Sequence, residues 1–504
     1  MNRPAGIETE YGLNCEGFAS APDFAYQASR LVRAAPAPGA FRGWNYAGED
    51  PHLDMRGTRV DTLAQDPNDF PGATDQSRLL SREELLANTV LQNGARLYND
   101  HNHPEYCTDA CLTLHDLVAQ DKAGETLLRA AESARNAQLA QGRVRVLKNN
   151  TDYHGRSYGC HENYLAARGL PLEHLVDALV PFLVTRIVFA GAGRVGRERG
   201  DPAALQLSQR ADFFEEVLGL NTTYRRPIFN TRDEPHADRL RFRRLHVIAG
   251  DANRSEWATA LKVGTTALVL DLADAGWRPT LRLLDPVRAQ QAISHDPSLS
   301  ATVELSHGGR VSALDIQADY RAAAERFSGG DPETAWVLRE WGAVLADLRA
   351  QPDTAADRVD WVAKRSLLRT FAQELGADWT PAMARRVDLA YHLLDPSVSL
   401  HASLVDEGRM RTLVDAGQVA AALSTPPRGT RAVVRGLALQ KFGASVSDME
   451  WDRLTFRRNG HDVTLRLDEV TGPRIDRMAD VLRTAQSLDD LVAALQAKGG
   501  TDHA

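Results

Sequence analysis

The stretch GIETEYG, residues 6–12, sets two acids two positions apart near the start of the chain. On an extended strand alternate side chains share a face, so Glu8 and Glu10 point one way while Ile7, Thr9 and Tyr11 point the other. Two carboxylates that close repel, and if buried one must take up a proton unless a cation lies between them. In NGARLYNDHNHPEYCT the same alternation puts Arg96, Tyr98 and Asp100 on one face. In SYGCHENYL it groups His161 with Asn163, and Gly159 leaves room for close approach. The stretch NTRDEPHADRLRFRRLHVIAGDAN adds Arg232, Asp233, Glu234 and His236, then Arg243, Arg244 and His246 running into an apolar strand. Taken singly, each stretch is equally a solvated sheet face or a structural histidine. Together, carboxylates with one or two histidines suit Mg²⁺ or Mn²⁺, and the arginines suit the phosphates that such ions accompany. No Walker loop is present, so side chains and metal must grip those phosphates.

These residues need several strands to carry them, and helices to back the strands. Helical patterns are expected over 22–35, 112–141 and 175–190, and over a long stretch capped by Asn253 or Ser255. Several helices joined by short loops are expected over 320–422. STPPRGT, residues 424–430, is the clearest breaker before a small C-terminal unit. Residues 43–80 hold scattered acids, prolines and glycines with no sustained period, which predicts a long irregular loop, either a functional lid or a plain insertion.

Two motifs mislead. Gly191, Gly193 and Gly196 spell the dinucleotide fingerprint, but a helical run precedes them and RERGDP follows, so a helix C-cap and turn is expected. Gly155, Ser157 and Gly159 match a nucleophile elbow, yet the polar NNTDYHG stands where a buried strand is required.

Bulk properties set the class. With 504 residues, 43% apolar and 25% charged, the chain is globular and long for a single core. It has no run of 18 apolar residues and no signal-peptide start, which predicts a cytoplasmic protein with no membrane partner. A net charge of -8 argues against nucleic acid as a partner. Cys15, Cys107, Cys111 and Cys160 read as free thiols, against the alternative of a zinc site built from Cys107, Cys111 and the nearby His101, His103 and Glu105.

Seven ordered stretches, GIETEYG, NGARLYNDHNHPEY, KNNTD with GRSYGCHENYL, LSQRAD, NTRDEPHAD, RRLHVIAGDAN and LKVGTTALVLDL, resemble the family of Pup ligases and depupylases. The resemblance covers nearly the whole chain. It implies an α+β fold: a large glutamine synthetase-like domain, residues 1–425, with a mostly antiparallel curved sheet packed by helices, and a small C-terminal domain, residues 426–504. It implies that Glu8, Tyr98 and Glu105 bind metal, with Glu10, His161 and His246 as further ligands or near neighbours. Arg96 and Thr108 would contact ATP, Arg232 would face its phosphates, Trp451 would close on the nucleotide, and Arg210 would lie close to the reacting groups. Asp100 matches the catalytic aspartate, as base or nucleophile.

Within that family, Trp44 and Tyr46 in a long loop, together with DHNHPEY, resemble the depupylase and Pup deamidase branch, whereas Thr151 and Cys160 resemble the ligase. The implied activity is an ATP- and Mg²⁺-dependent hydrolase, with ATP or ADP plus phosphate bound. It would cleave the bond between Pup and substrate lysines and deamidate the C-terminal glutamine of Pup. The alternatives are a Pup-independent nucleotide phosphatase and a Pup ligase. Pup and pupylated proteins are the implied partners, reached through a basic groove drawn from Arg225, Arg226, Arg239, Arg241, Arg243 and Arg244.

Overall fold

The computed structural model describes residues 1, 3–64, 75–198, 200–327 and 329–497. The chain opens with β1 (Ala5–Glu10) and β2 (Gly12–Glu16), and continues through β3 (Thr89–Val90), β4 (Arg96–Asp100), β5 (His103–Cys107), β6 (Arg143–Leu147) and β7 (Cys160–Ala167). Two short pairs follow, β8 (Arg194–Val195) with β9 (Leu205–Gln206) and β10 (Phe214–Gly219) with β11 (Arg226–Asn230), and then β12 (Phe242–Val247). Six strands form the main sheet in the order β12-β7-β1-β5-β4-β3, every neighbour antiparallel. The mixture of helices with a mostly antiparallel sheet is the expected α+β architecture.

The two faces of this sheet have different fates. Ile7, Cys160, Tyr164, Leu245 and Val247 join an apolar core with Leu114, Leu117, Trp257 and Leu261 from the helices Leu114–Ala137 and Glu256–Asp274. The second of these starts where the Ser255 side chain accepts from the Ala258 N–H, one of the two expected caps, and it is buried along almost its whole length. The opposite face of the sheet carries the charged residues and lines a cavity of about 1550 Å³.

The long irregular segment is in fact docked over residues 43–64. The side chain of Asn45 donates to Asp448, its N–H donates to the Met449 carbonyl, and Trp44 meets Trp451 edge-on with ring centres 5.1 Å apart. Further on, Asp54 accepts from the Thr231 hydroxyl at 2.7 Å. Of the rest of the expected loop, 65–74 lie outside the described residues and Asp75–Arg78 is a short helix.

The last part of the chain builds its own apolar cluster. Val434, Leu439, Met449, Leu454, Phe456, Leu465, Ile475 and Leu482 pack together, and Phe41 and Trp44 lean on them. The three glycines of the dinucleotide-like motif follow a helix end, and the short strand β8 lies between the second and third, so the turn reading describes them. Among the described residues no helix is long and apolar enough to cross a membrane.

Candidate active site

Five adjacent strands present the site. From β12 come Arg244 and His246, from β7 His161, from β1 Glu8 and Glu10, from β5 His103 and Glu105, and from β4 Arg96, Tyr98 and Asp100, all lining the one cavity. The pairing explains the convergence: Glu8 sits opposite His161 in the β1/β7 ladder, Glu10 opposite Glu105, and Tyr98 opposite Glu105. Gly159 lets these side chains keep their places, because a Cβ there would collide with His161 Nε2 and lie 2.8 Å from Glu10 Oε1.

The carboxylates and imidazoles fall into two groups, Glu8 with His161 and His246, and Glu10 with Asp100 and Glu105; within each, the candidate ligand atoms lie within 4.8 Å of one another. Glu8 Oε2 is 3.3 Å from His161 Nδ1 and 3.5 Å from His246 Nε2. Burial would raise Glu8, but the His161 and His246 contacts and the Arg244 charge outweigh it and hold the carboxylate well below its usual range. His246 is neutral: burial, then Arg244, pushes its pKa down to about 3, and the Glu8 carboxylate 3.5 Å from Nε2 does not offset them. Glu105 goes the other way. Burial first, then the charges of Asp100, Glu8 and Glu10, raises it well above the carboxylate range. Three acids facing one another, beside a second group of one acid and two imidazoles, form a donor set that a pair of divalent cations would satisfy.

Asp100, expected as the catalytic base or nucleophile, is itself a member of the second group. Burial opposes its ionisation, but His101, whose Nδ1 is 2.7 Å from Asp100 Oδ2, then Arg96 and His103, hold it ionised. Tyr98 stays protonated, raised by burial and by Asp100 and Glu105, and its ring carries the Arg96 guanidinium at 3.8 Å. Among the described residues Arg96 has no acid partner; it donates to Asn88 Oδ1 at 2.6 and 3.0 Å and to the Tyr46 hydroxyl at 2.8 Å. Arg210 is 1% exposed, its Nε and Nη1 lack partners, and burial and then Arg226 push its pKa down to about 10. Arg232 lines the same cavity, 3.8 Å from Glu234, and Trp451 borders it from the C-terminal unit.

Thr108 is a correction. It does not line the cavity; its hydroxyl oxygen accepts the Ile7 N–H at 3.0 Å and ties β1 to the end of β5. The basic groove also divides. Arg226 and Arg244 line the cavity, Arg243 donates to the Leu170 carbonyl, and Arg225, Arg239 and Arg241 are exposed. All four cysteines are free; Cys107 donates to Glu105 and Cys111 to the Asp109 carbonyl, and no cysteine joins a metal-capable group among the described residues. His103, which the sequence suggests only for the zinc alternative, joins the cavity because the alternation that presents Glu105 presents it too. It stacks on Tyr158 with ring centres 4.2 Å apart and lies 3.8 Å from Glu10.

With this geometry in hand, comparison with known proteins is decisive at the level of family. The family described as "Pup-ligase protein" matches residues 3–455. The chain belongs to the Pup-ligase family. Among members of that family, a depupylase of Acidothermus cellulolyticus is 44% identical over 98% of this chain and 99% of its own length. A Pup deamidase/depupylase of Mycobacterium tuberculosis is 39% identical over 99% of this chain and 100% of its own. A Pup–protein ligase of Nakamurella multipartita is 42% identical over 79% of this chain and 90% of its own. In structure, the ligase PafA solved in complex with Pup superposes with a TM-score of 0.77 at 32% identity, covering 98% of this chain and 95% of that one. PafA solved with ADP gives 0.72 at 32% identity, over 85% of this chain and 96% of that one.

Proposed function

We propose that this chain is a depupylase and Pup deamidase, working in the cytoplasm with a nucleotide and Mg²⁺ bound. It hydrolyses the isopeptide bond between Pup and a substrate lysine and converts the C-terminal glutamine of Pup to glutamate. The observation that carries the hydrolase over the ligase is the extent of the sequence alignment: the two hydrolase relatives align with 98% and 99% of this chain, and the Nakamurella ligase with 79%.

The cavity supports each part of this reading. Glu8, His161 and His246 would hold one Mg²⁺, and Glu10 and Glu105, beside Tyr98, a second. When bound, Mg²⁺ offsets the negative charge of carboxylates and phosphates brought together in one place. Arg96 and Arg232 would face the nucleotide, and Trp451 would border it from a C-terminal domain, residues 426–504, closing on the large domain, residues 1–425; all three side chains line the cavity. The ADP held by PafA is consistent with that seat. Arg210, buried and with donors unspent, stabilises charge that builds on the reacting carbonyl or on a held phosphate. Asp100, kept ionised by His101, either attacks the γ-carbonyl carbon of the terminal Pup residue or takes a proton from the water that attacks it. By the first route the C–N bond breaks as the anhydride to Asp100 forms, and water then hydrolyses that anhydride to free Asp100. By the second the water adds directly and the C–N bond breaks. In both, water supplies the hydroxyl of the new carboxyl group and the proton that the amine takes up.

The test is a choice of substrates. Purified protein with ATP and Mg²⁺ receives a pupylated protein, Pup ending in glutamine, free Pup ending in glutamate with a lysine acceptor, or nucleotide alone. The proposal expects free Pup from the first and deamidation of the second. Conjugate formed from the third, or phosphate release in the fourth with both hydrolyses absent, would overturn it.

A further inference from the structure

Glu8 has two oxygens in different surroundings. Oε2 faces His161 and His246, whereas Oε1 accepts from Asn163 Nδ2 at 2.9 Å and from Arg244 Nη1 at 3.3 Å. The two donors are locked to each other, because Arg244 Nη1 also donates to Asn163 Oδ1 at 2.9 Å. Behind them Arg244 Nε donates to the Glu234 carbonyl at 2.9 Å, and Nη2 lies 3.6 Å from the Glu234 carboxylate, so the guanidinium is anchored at its far end. The pairing of β7 with β12 brings these groups together: Asn163 sits opposite His246, and Arg244 two residues before it. Both side chains are held on the cavity face of the sheet, with Arg244 only 12% exposed.

We propose that Asn163 and Arg244 are positioning residues that keep one oxygen of Glu8 turned away from the metal, so that Glu8 can offer only the other. The proposal rests on the metal reading of this site given above, and adds a selectivity to it. A small ion with strict octahedral demands takes one oxygen from each carboxylate, while Ca²⁺, larger and more tolerant, is often held by both. A carboxylate pinned through Oε1 therefore favours Mg²⁺, and releasing the pin opens a two-oxygen grip that suits Ca²⁺. Arg244 also places a positive charge beside the group, a fixed cost to any cation. That charge attracts the carboxylate, and with the hydrogen bonds from Asn163 and Arg244 it holds Oε1 in place.

Calorimetric titration of the nucleotide-free full chain with Mg²⁺ and with Ca²⁺ tests this, using wild type, Asn163→Ala and Arg244→Lys, with a melting curve for each. The wild type should bind Mg²⁺, and Asn163→Ala should lose affinity for it by roughly 10-fold or more while holding or gaining affinity for Ca²⁺. A merely structural role would weaken both ions alike or lower only the melting temperature, and either result overturns the clamp. Should Asn163→Ala not fold, Arg244→Lys, which keeps the charge but loses the paired donors, gives the same ratio. A wild type that binds neither ion overturns the metal reading and the clamp with it, whereas a wild type that binds Mg²⁺ with the ratio unchanged in both variants overturns the clamp alone.

Discussion

The guanidinium carbon of Arg96 lies 4.1 Å from the centre of the Trp44 ring. An arginine proposed to face the nucleotide is thus covered by a residue of the 43–64 segment, and Trp44 in turn touches Trp451 and donates through Nε1 to Glu49 at 2.9 Å. One side chain joins loop, sheet and C-terminal unit.

Trp44→Ala should therefore loosen the segment without unfolding the protein. An arginine–indole contact contributes about 1–2 kcal/mol when desolvated, so opening of residues 43–64 should become on the order of 10-fold more frequent. Limited proteolysis read by mass spectrometry measures it; cleavage at the wild-type rate would contradict the docking.

Asp100→Asn should reduce Pup release by roughly 10²–10⁴-fold or more, the scale of a lost base or nucleophile. Nucleotide affinity, followed with a fluorescent analogue, should stay near that of the wild type, because the variant keeps shape and polarity. Loss of nucleotide binding would mean that the residue supports the fold of the site rather than its chemistry.

His392 gives a pH dependence remote from the cavity. It is fully buried; Nδ1–H donates to the Lys148 carbonyl at 2.6 Å while Nε2 accepts from Lys364 at 2.9 Å and from Gln209 at 2.8 Å, an arrangement open only to the neutral ring. Burial, then Lys364, holds its pKa well below 6.5. The unfolded chain takes up the proton as pH falls below about 6.5, so the stability is complete above that pH and is lost below it, by at most about 1.4 kcal/mol per pH unit for one proton. Between pH 6.5 and 5.5 the denaturation midpoint of His392→Gln should fall less than that of the wild type. Parallel curves would contradict the assignment.

Thr108→Val separates a structural hydroxyl from a ligand-binding one. It should lower stability by about 1–3 kcal/mol, through the buried Ile7 N–H left without an acceptor, and leave nucleotide affinity unchanged. A selective loss of nucleotide binding, with the melting temperature intact, would return Thr108 to the cavity.

Much of this site was legible because a strand shows its two faces through local backbone geometry alone. Glu8, Glu10, Tyr98, Asp100 and His161 fall on the side that alternation predicts, and they line one cavity with Glu105 and His246, which the family resemblance supplied. Which strands are neighbours is not local. That Asn163 and Arg244 converge on one oxygen of Glu8 depends on the pairing of β12, β7 and β1, and the loss of Thr108 to the Ile7 amide depends on where β1 meets β5. Residues 43–64 read as irregular because their order comes from docking, through Trp44 on Trp451, Asn45 on Asp448 and Asp54 on Thr231, and from no repeat of their own.

The most direct measurement is Pup release from a pupylated protein by the full chain with nucleotide present, in Mg²⁺, after chelation with EDTA, and after Mg²⁺ is restored. The converging acids predict release in the first, none in the second and recovery in the third. Release that continues at the same rate in EDTA would contradict the account.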